Sequence, residues 1–408
     1  MTARADASGG MGEVYARLGV PRRINAAGTL TRLGGSLMEP AVLQAMAEAA
    51  RCSVDLSELQ SAASRVIARC TGAPAGIVTS GAAAGLTLAT AACLAGWDVR
   101  RMAALPDTRG LPHRVLMART HRNSYDHAVR LAGARIIDIG HNDRGTGAGV
   151  RGLEAWEIEA AADADTVACL FVATPQTLPD LPMVIETAHR LGLPVIVDSA
   201  AQLPPRENLR ALVAAGADLV VFSGGKAIGG PQSSGILAGR RDLIGSALVQ
   251  MMDMDVSPQT WSPSDLIDRE ALQGIPHHGI GRGFKVGKEE IVGLLTALER
   301  FVGRDEAALA QALEQRLRAM AQALAACPGL RAALVPADGA EQPLPLLHLH
   351  VQGSAHRLSQ RLQGASVPVH LGERLAGQGV LILNPQTVAP EDDALLVRSL
   401  ILACETPP

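Results

Sequence analysis

A single lysine, Lys226, lies in the glycine-rich stretch FSGGKAIGGPQSSGI (residues 222–236), which begins at the end of an apolar run. Glycine permits a left-handed backbone and close approach to a ligand, at an entropic cost that another interaction must offset. The amine of Lys226 could bind a carbonyl-bearing cofactor, or it could belong to an ordinary surface loop. A glycine-rich loop alone does not decide between these readings.

Two more features follow predicted strands. Asp198 ends the apolar run in PVIVDSAAQ (194–202), where a carboxylate either caps the next helix or pairs with a buried cation. The segment TSGAAAG (79–85) places Ser80, Gly81 and Ala82 at the start of an alanine-rich helix. Free amides at a helix N-terminus suit a phosphate, although a serine cap is the commoner explanation of such a sequence.

The combination is more specific than its parts, because ligands of open α/β sheets bind at the carboxyl ends of strands. A phosphate site, an aspartate and a lysine at such an edge meet the requirements of pyridoxal 5′-phosphate (PLP). Lys226 would form the Schiff base, and Asp198 would keep the pyridine nitrogen protonated so that the ring accepts electrons. The sequence therefore predicts PLP as the cofactor and offers no candidate metal ligands, which leaves open whether a metal ion assists.

Apolar runs alternate with segments of helix length through the middle of the chain. This pattern predicts a mostly parallel seven-stranded sheet covered by helices on both faces. The loop before the last run is too short for a helical crossover, so that strand should return antiparallel. The seven runs are AGIVTS, HRVLMA, ARIIDI, TVACLFVA, LPVIVD, DLVVFS and SGILAG, which lie between residues 75 and 239.

With 408 residues, the chain exceeds the usual size of a single core. We expect an N-terminal arm and entry segment (1–60), a large cofactor-binding domain (61–280), and a long connecting helix with a small C-terminal domain (281–408). One or two helices in 286–329, strand-like PLLHLHV and GVLILN, and a final helix predict that the small domain is α+β.

Composition excludes several classes of function. The 37 basic and 40 acidic residues leave a formal charge of −3, without the basic footprint of a nucleic-acid-binding protein. Six scattered cysteines show neither a C-x-x-C pair nor zinc spacing, which is typical of reduced thiols in a cytoplasmic protein. No signal peptide or membrane span is evident, so we expect neither export nor membrane insertion.

Several segments together resemble the SelA-like group of fold-type-I PLP-dependent enzymes. This group includes L-seryl-tRNA(Sec) selenium transferase and enzymes of the D-glucosaminate-6-phosphate ammonia-lyase type. The resemblance covers residues 20 to 300, and the C-terminal part more loosely. It rests on INAAGTL (24–30), TSGAAAG, VDSAAQLPP (197–205), DLVVFSGGKAIGGPQSSGI and GRGFKVGKEEIVGLLTALE (281–299).

The resemblance implies roles for individual residues and a homodimer or higher oligomer. Lys226 matches the cofactor-binding lysine and Asp198 the partner of the ring nitrogen. His121 would stack on the cofactor, unless it is an ordinary surface histidine. The remaining candidates for the cofactor are Ser80, Gly81, Ala82 and Ser223 at the phosphate and Gln202 at an oxygen. Arg282 and Arg374 would bind a substrate carboxylate or phosphate, unless they are ordinary surface charges.

The expected activity is that of a lyase that removes an α-proton and then eliminates a β-substituent from a small amino acid or amino-sugar acid. Racemisation, aldol cleavage and transamination share the same intermediate, so the sequence does not separate them. An RNA-dependent transferase is disfavoured by the charge balance and by the few residues that precede the core segment. A cofactor-free binding protein is disfavoured because Lys226, Asp198 and the TSG turn occur together. The sequence departs from the family at SGGK and VDSAAQ, so substrate identity cannot be copied.

Overall fold

The computed structural model describes residues 12–141, 153–339 and 342–405. Contacts divide the chain into two compact units, a large unit (Met38–Arg304) and a small unit (Met1–Leu37 with Asp305–Pro408). The predicted domain boundaries at residues 60 and 280 stay a prediction. The first residues of the predicted N-terminal arm, 1–11, lie outside the described residues. None of the described helices is both long and apolar enough to span a membrane.

The elements are named here in chain order. The strands are β1 (Ile24–Ala26), β2 (Ala75–Thr79), β3 (Arg114–Ala118), β4 (Arg135–Ile139), β5 (Thr166–Val172), β6 (Val195–Asp198), β7 (Leu219–Ser223), β8 (Gly235–Gly239), β9 (Leu330–Val335), β10 (Leu346–Val351), β11 (Val369–Leu371) and β12 (Val380–Leu383). The helices are α1 (Glu13–Ala16), α2 (Pro40–Ala49), α3 (Leu56–Thr71), α4 (Ala82–Ala95), α5 (Val99–Ala104), α6 (Asp126–Leu131), α7 (Ala155–Ala161), α8 (Leu181–Arg190), α9 (Asn208–Ala214), α10 (Arg241–Met251), α11 (Lys288–Gly303), α12 (Glu306–Ala323), α13 (Ala355–Gln363) and α14 (Asp393–Glu405).

The large unit is built on a seven-stranded sheet with the order β2-β8-β7-β6-β5-β3-β4. Strand β8 runs antiparallel to both β2 and β7, and the other neighbouring strands pair in parallel. The sequence prediction of a mostly parallel α/β sheet with an antiparallel last strand is therefore confirmed. The reason is the short glycine-rich loop between β7 and β8, which has no room for a crossover helix.

Helix α3 protects the open edge of this sheet at β2. The Gln60 side chain donates to the Val78 carbonyl and accepts from the Val78 N–H, each at 2.9 Å. One turn later, Ser64 Oγ accepts from the Gly76 N–H at 3.1 Å. These side chains satisfy backbone groups that would otherwise be buried without a partner.

The small unit carries a three-stranded sheet with the order β12-β10-β9 and a two-stranded sheet, β1-β11, which together are called the small sheet. Strand β1 pairs in parallel with β11, and β10 pairs antiparallel with β12 and β9. A bridge between Gly372 and Ile382 links β11 to β12. One face packs against α12, α13 and α14 through an aliphatic core that includes Leu317, Leu358 and Leu396. Three of its strands, β1, β9 and β11, did not appear in the sequence prediction.

Candidate active site

The carboxyl ends of β6 and β7 bring Asp198 and Lys226 to the same edge of the large sheet. Asp198 is the last residue of β6 and is aligned with Val221 of β7 and Val172 of β5. Lys226 follows three residues after the end of β7. The strand register thus fixes an acid and an amine at the edge where this class of sheet binds ligands.

Asp198 and Lys226 are both withdrawn from water and sense each other's charge. Asp198 is 8% exposed, and its Oδ1 accepts from the Ala200 N–H at 3.0 Å. Burial raises the pKa of the Asp198 carboxyl, while the Ala200 N–H and the Lys226 charge act to lower it. Burial lowers the pKa of the Lys226 amine, and the Asp198 charge acts to raise it. Desolvation therefore prevails over their mutual attraction at both groups.

The glycines around Lys226 are required by a loop that folds tightly on itself. The Gly224 N–H donates to the Ser234 carbonyl and the Gly230 N–H donates to the Gly224 carbonyl, each at 2.9 Å. A Cβ on Gly225 would lie 2.6 Å from the Gln232 Cα, so no larger residue fits there. This close approach explains the glycine content of the segment.

The N-terminus of α4 lies beside this loop because β8 passes between β2 and β7. Gly235 is aligned with Thr79 on one side and with Ser223 on the other. Gly81 has a φ of 123°, and α4 begins without a side-chain cap. A Cβ on Gly81 would meet nothing within 4 Å, so the backbone at the start of α4 is not crowded on that side. A 14-residue helix with uncapped amides can hold a phosphate.

His121 follows β3 in a short 3₁₀ helix (Arg119–His121). Its Nδ1 accepts from the Val172 N–H at 3.3 Å, which places the hydrogen of the neutral ring on Nε2. The ring lies edge-on to Phe171, with centroids 4.7 Å apart. Burial lowers the pKa of His121 to about 4, so the ring is neutral at physiological pH. A neutral, apolar-packed imidazole suits stacking against another ring better than proton transfer.

These residues fit PLP by their chemistry. The buried Asp198 carboxylate is only partly compensated, because its pKa is raised even with the Lys226 charge nearby. A protonated ring nitrogen would provide the missing cation. The uncapped α4 amides suit a phosphate, and the half-buried Lys226 supplies the amine.

For three other predicted site residues, Gln202, Arg282 and Arg374, the contacts in the structure do not assign a function. The half-buried Gln202 follows β6, and its N–H donates to the Ser199 carbonyl at 3.2 Å. Arg282 donates to Asp253 at 2.7 Å, and lines a cavity of about 530 Å³ near the start of α11. Arg374 is exposed in the small unit. The functions proposed for these residues stay predictions.

Three contributors to the site did not emerge from the sequence. Phe171 packs on His121, Gly235 allows α4 to approach β8, and the Ala200 N–H binds Asp198. Gly235 lies in the glycine-rich segment around Lys226, so its residue type could have indicated a close approach of the backbone at this position. The other two depend on strand alignment and on a turn geometry that residue types alone do not specify.

The comparisons with known proteins agree with this arrangement. A family model described as L-seryl-tRNA selenium transferase matches residues 182–253, which contain both Asp198 and Lys226. D-glucosaminate-6-phosphate ammonia lyase of Salmonella typhimurium is 32% identical, over 95% of this chain and 96% of that relative. A 5′-C-glycyluridine monooxygenase-decarboxylase of Streptomyces sp is 29% identical, over 95% of this chain and 90% of that relative.

Structural similarity leads to the same group. A solved structure of D-glucosaminate-6-phosphate ammonia-lyase matches with a TM-score of 0.79 and 31% sequence identity. The match covers 96% of this chain and 98% of that chain. Similarity therefore extends through both compact units and is not confined to the lysine segment.

Replacing Gly235 by alanine should disrupt the predicted phosphate site. The new Cβ would lie 2.6 Å from the Gly81 carbonyl carbon and 2.8 Å from the Ala82 nitrogen, both backbone atoms. We expect PLP affinity to fall at least tenfold and the free energy of unfolding to fall by about 1–3 kcal/mol. Titration of apoprotein with PLP and denaturant unfolding measure these effects.

Gly303→Ala is the matched control, since a Cβ there meets nothing within 4 Å. Equal PLP affinity for Gly235→Ala and Gly303→Ala would contradict the assignment of the α4 terminus to the cofactor phosphate.

Proposed function

Because the chain belongs to the SelA-like group of fold-type-I PLP-dependent enzymes, we propose that it is a PLP-dependent ammonia-lyase acting on an amino-sugar acid. The observation that carries the proposal is the half-buried Lys226 with the buried Asp198 at the carboxyl edge of the sheet, each acting on the other's charge. The nearly full-length similarity to D-glucosaminate-6-phosphate ammonia lyase supports this choice of reaction and substrate class.

Five sets of residues would hold the cofactor. Lys226 Nζ would bind it covalently, and Asp198 would hold its ring nitrogen. The amides at Gly81 and Ala82, with the hydroxyls of Ser80 and Ser223, would take its phosphate. We also assign His121 to ring stacking and Gln202 to a cofactor oxygen. When bound, PLP supplies an electron-accepting ring that stabilises negative charge at the substrate α-carbon.

Lys226 is also the proposed base. With the substrate amine in its place, its Nζ would be free to take the substrate α-proton. Burial lowers the pKa of this amine and so favours the neutral form that accepts a proton. The hydroxyl on the adjacent carbon then leaves as water with a proton supplied from the site. Lys226 Nζ would regain its bond to the cofactor and so release the enamine. Hydrolysis of this enamine would consume one water and give ammonia and a keto acid, so no external amino acceptor would be needed.

The remaining assignments follow from the family and from composition. Arg374 is the preferred ligand of the substrate carboxylate, and Arg282 is the second candidate. We propose a homodimer or higher homo-oligomer in the cytoplasm, without a nucleic-acid partner, consistent with the formal charge of −3.

The reaction class can be tested with purified holoprotein and D-glucosaminate, with and without its 6-phosphate. We expect keto acid and ammonia in equal amounts under anaerobic conditions and without a keto-acid acceptor. Coupled assays measure both products. The same assays with a panel of β-hydroxy amino acids test whether the enzyme accepts other substrates.

Other outcomes would identify other PLP reactions. A requirement for a keto-acid acceptor would indicate an aminotransferase, and inversion of the α-carbon alone would indicate a racemase. Aldehyde release would indicate aldol cleavage. Oxygen uptake with CO₂ release would favour chemistry of the kind named for the Streptomyces relative. Each of these results would contradict the ammonia-lyase proposal.

Asp198→Asn should keep PLP bound while slowing turnover about a hundredfold or more, because the ring nitrogen loses the charge that keeps it protonated. Absorbance of the bound cofactor and steady-state kinetics measure the two effects. Asp107→Asn serves as a control, since it neutralises an exposed carboxylate of the same unit. Near-normal turnover of Asp198→Asn would mean that the carboxylate serves only as a cap.

A further inference from the structure

The small sheet has a polar face whose histidines have no role in the proposed lyase chemistry. Its core-facing strand residues are aliphatic: Ile24, Ala26, Leu347, Leu349, Val369, Leu371, Leu381 and Leu383. The residues between them point to the opposite face, because side chains alternate along a strand. Asn25 is aligned with His370, and Ile382 is aligned with both Gly372 and His348. Histidines on β10 and β11 therefore share one face.

Within this polar face, His370 holds the guanidinium of Arg23. Arg23 Nη1 lies 3.2 Å from His370 Nε2. A guanidinium can only donate, so Nε2 is the acceptor and the neutral ring carries its hydrogen on Nδ1. His370 is 3% exposed, and its Nδ1 has no hydrogen-bond partner among the described residues. Burial, with the charges of Arg32 and Arg23, lowers the pKa of His370 and preserves this neutral acceptor.

The surrounding charge is mainly positive and unpaired. In the described part of the small unit, Arg23, Arg32 and Arg374 form no ion pair with a carboxylate, whereas Arg22 pairs with Asp392. Arg23 and Arg32 both act electrostatically on His370, with Glu373 as the opposing charge.

Glu373 is itself engaged by neutral donors. Its Oε1 accepts from Ser359 at 2.5 Å and from Gln363 at 2.9 Å. Arg23 and Arg32 are exposed and can be reached from solvent. Two accessible guanidinium groups without carboxylate partners therefore act on His370, and the one on Arg23 is oriented by this buried neutral ring.

We propose that Arg23 and Arg32 bind a phosphate group on this face, with His370 as the positioning residue for Arg23. A guanidinium presents paired N–H donors that match two phosphate oxygens, and two guanidinium groups balance the charge of a phosphate dianion. The site is composed of small-unit residues and does not depend on the lyase reaction. Free phosphate and the phosphate of a small monoester offer the same chemistry.

Calorimetric titration of the full-length holoprotein with inorganic phosphate tests the site directly. The cofactor occupies its own phosphate site in this form, so the titration reports on other sites. We expect saturable binding of one phosphate per chain, and a loss of affinity of tenfold or more for Arg23→Gln and for Arg32→Gln. Arg357→Gln, which removes an exposed arginine from α13, should stay within twofold of the parent protein.

A parallel titration with glucose 6-phosphate, using glucose as its control, distinguishes free phosphate from a phosphate monoester as the ligand of this site. Tighter binding of glucose 6-phosphate than of inorganic phosphate assigns the site to a monoester, and equal or weaker binding assigns it to the free anion. The proposal is overturned if neither phosphate compound binds saturably, or if Arg23→Gln and Arg357→Gln bind phosphate equally well.

The positioning role of His370 has its own test. His370→Leu removes the acceptor for Arg23 and should weaken phosphate binding about as much as Arg23→Gln. His370→Gln restores a side-chain carbonyl and should recover most of the affinity. Phosphate affinities that are equal in the parent protein and in both variants would exclude His370 from the site. If either His370 variant fails to fold, the Arg23 and Arg32 titrations still decide the main proposal.

Discussion

The burial of two opposite charges, those of Asp198 and Lys226, is the constraint on which the rest of the site depends. Each group loses solvation at the carboxyl edge of the sheet. Burial raises the pKa of Asp198 and lowers the pKa of Lys226, so it favours the neutral form of both groups despite their attraction. Such an arrangement is costly in a protein that only needs to fold. A cofactor with a protonatable ring nitrogen and an aldehyde would use both groups, and this gives the burial a function.

The scaffold meets this constraint through strand register and through glycine. Strands β5, β6 and β7 align Val172, Asp198 and Val221 across the sheet, and the Val172 N–H orients His121. The antiparallel β8 passes close to the start of α4 because Gly235 has no side chain. The same tight loop between β7 and β8 carries Lys226. Strand ends and the tight loop between β7 and β8 therefore position the acid and the amine of the proposed cofactor site.

Much of the large unit could be predicted from sequence because buried parallel strands appear as continuous apolar runs. Asp198 and Lys226 stand directly after such runs, which made them visible as candidates. Strands β1 and β11 have three residues each, which is too short to show an alternation of apolar and polar side chains. Their pairing depends on contacts between residues distant in sequence. The same limit applies to His370 and Arg23, whose proximity follows from that pairing and from no local motif.

Borohydride reduction of the holoprotein, followed by peptide mapping, tests the central claim most directly. The sequence contains three lysines, Lys226, Lys285 and Lys288, so the assignment can be unambiguous. The account predicts a phosphopyridoxyl group on Lys226 alone, and none in a Lys226→Ala protein treated in the same way. Recovery of the label on Lys285 or Lys288, or stable reduction without any labelled lysine, would contradict it.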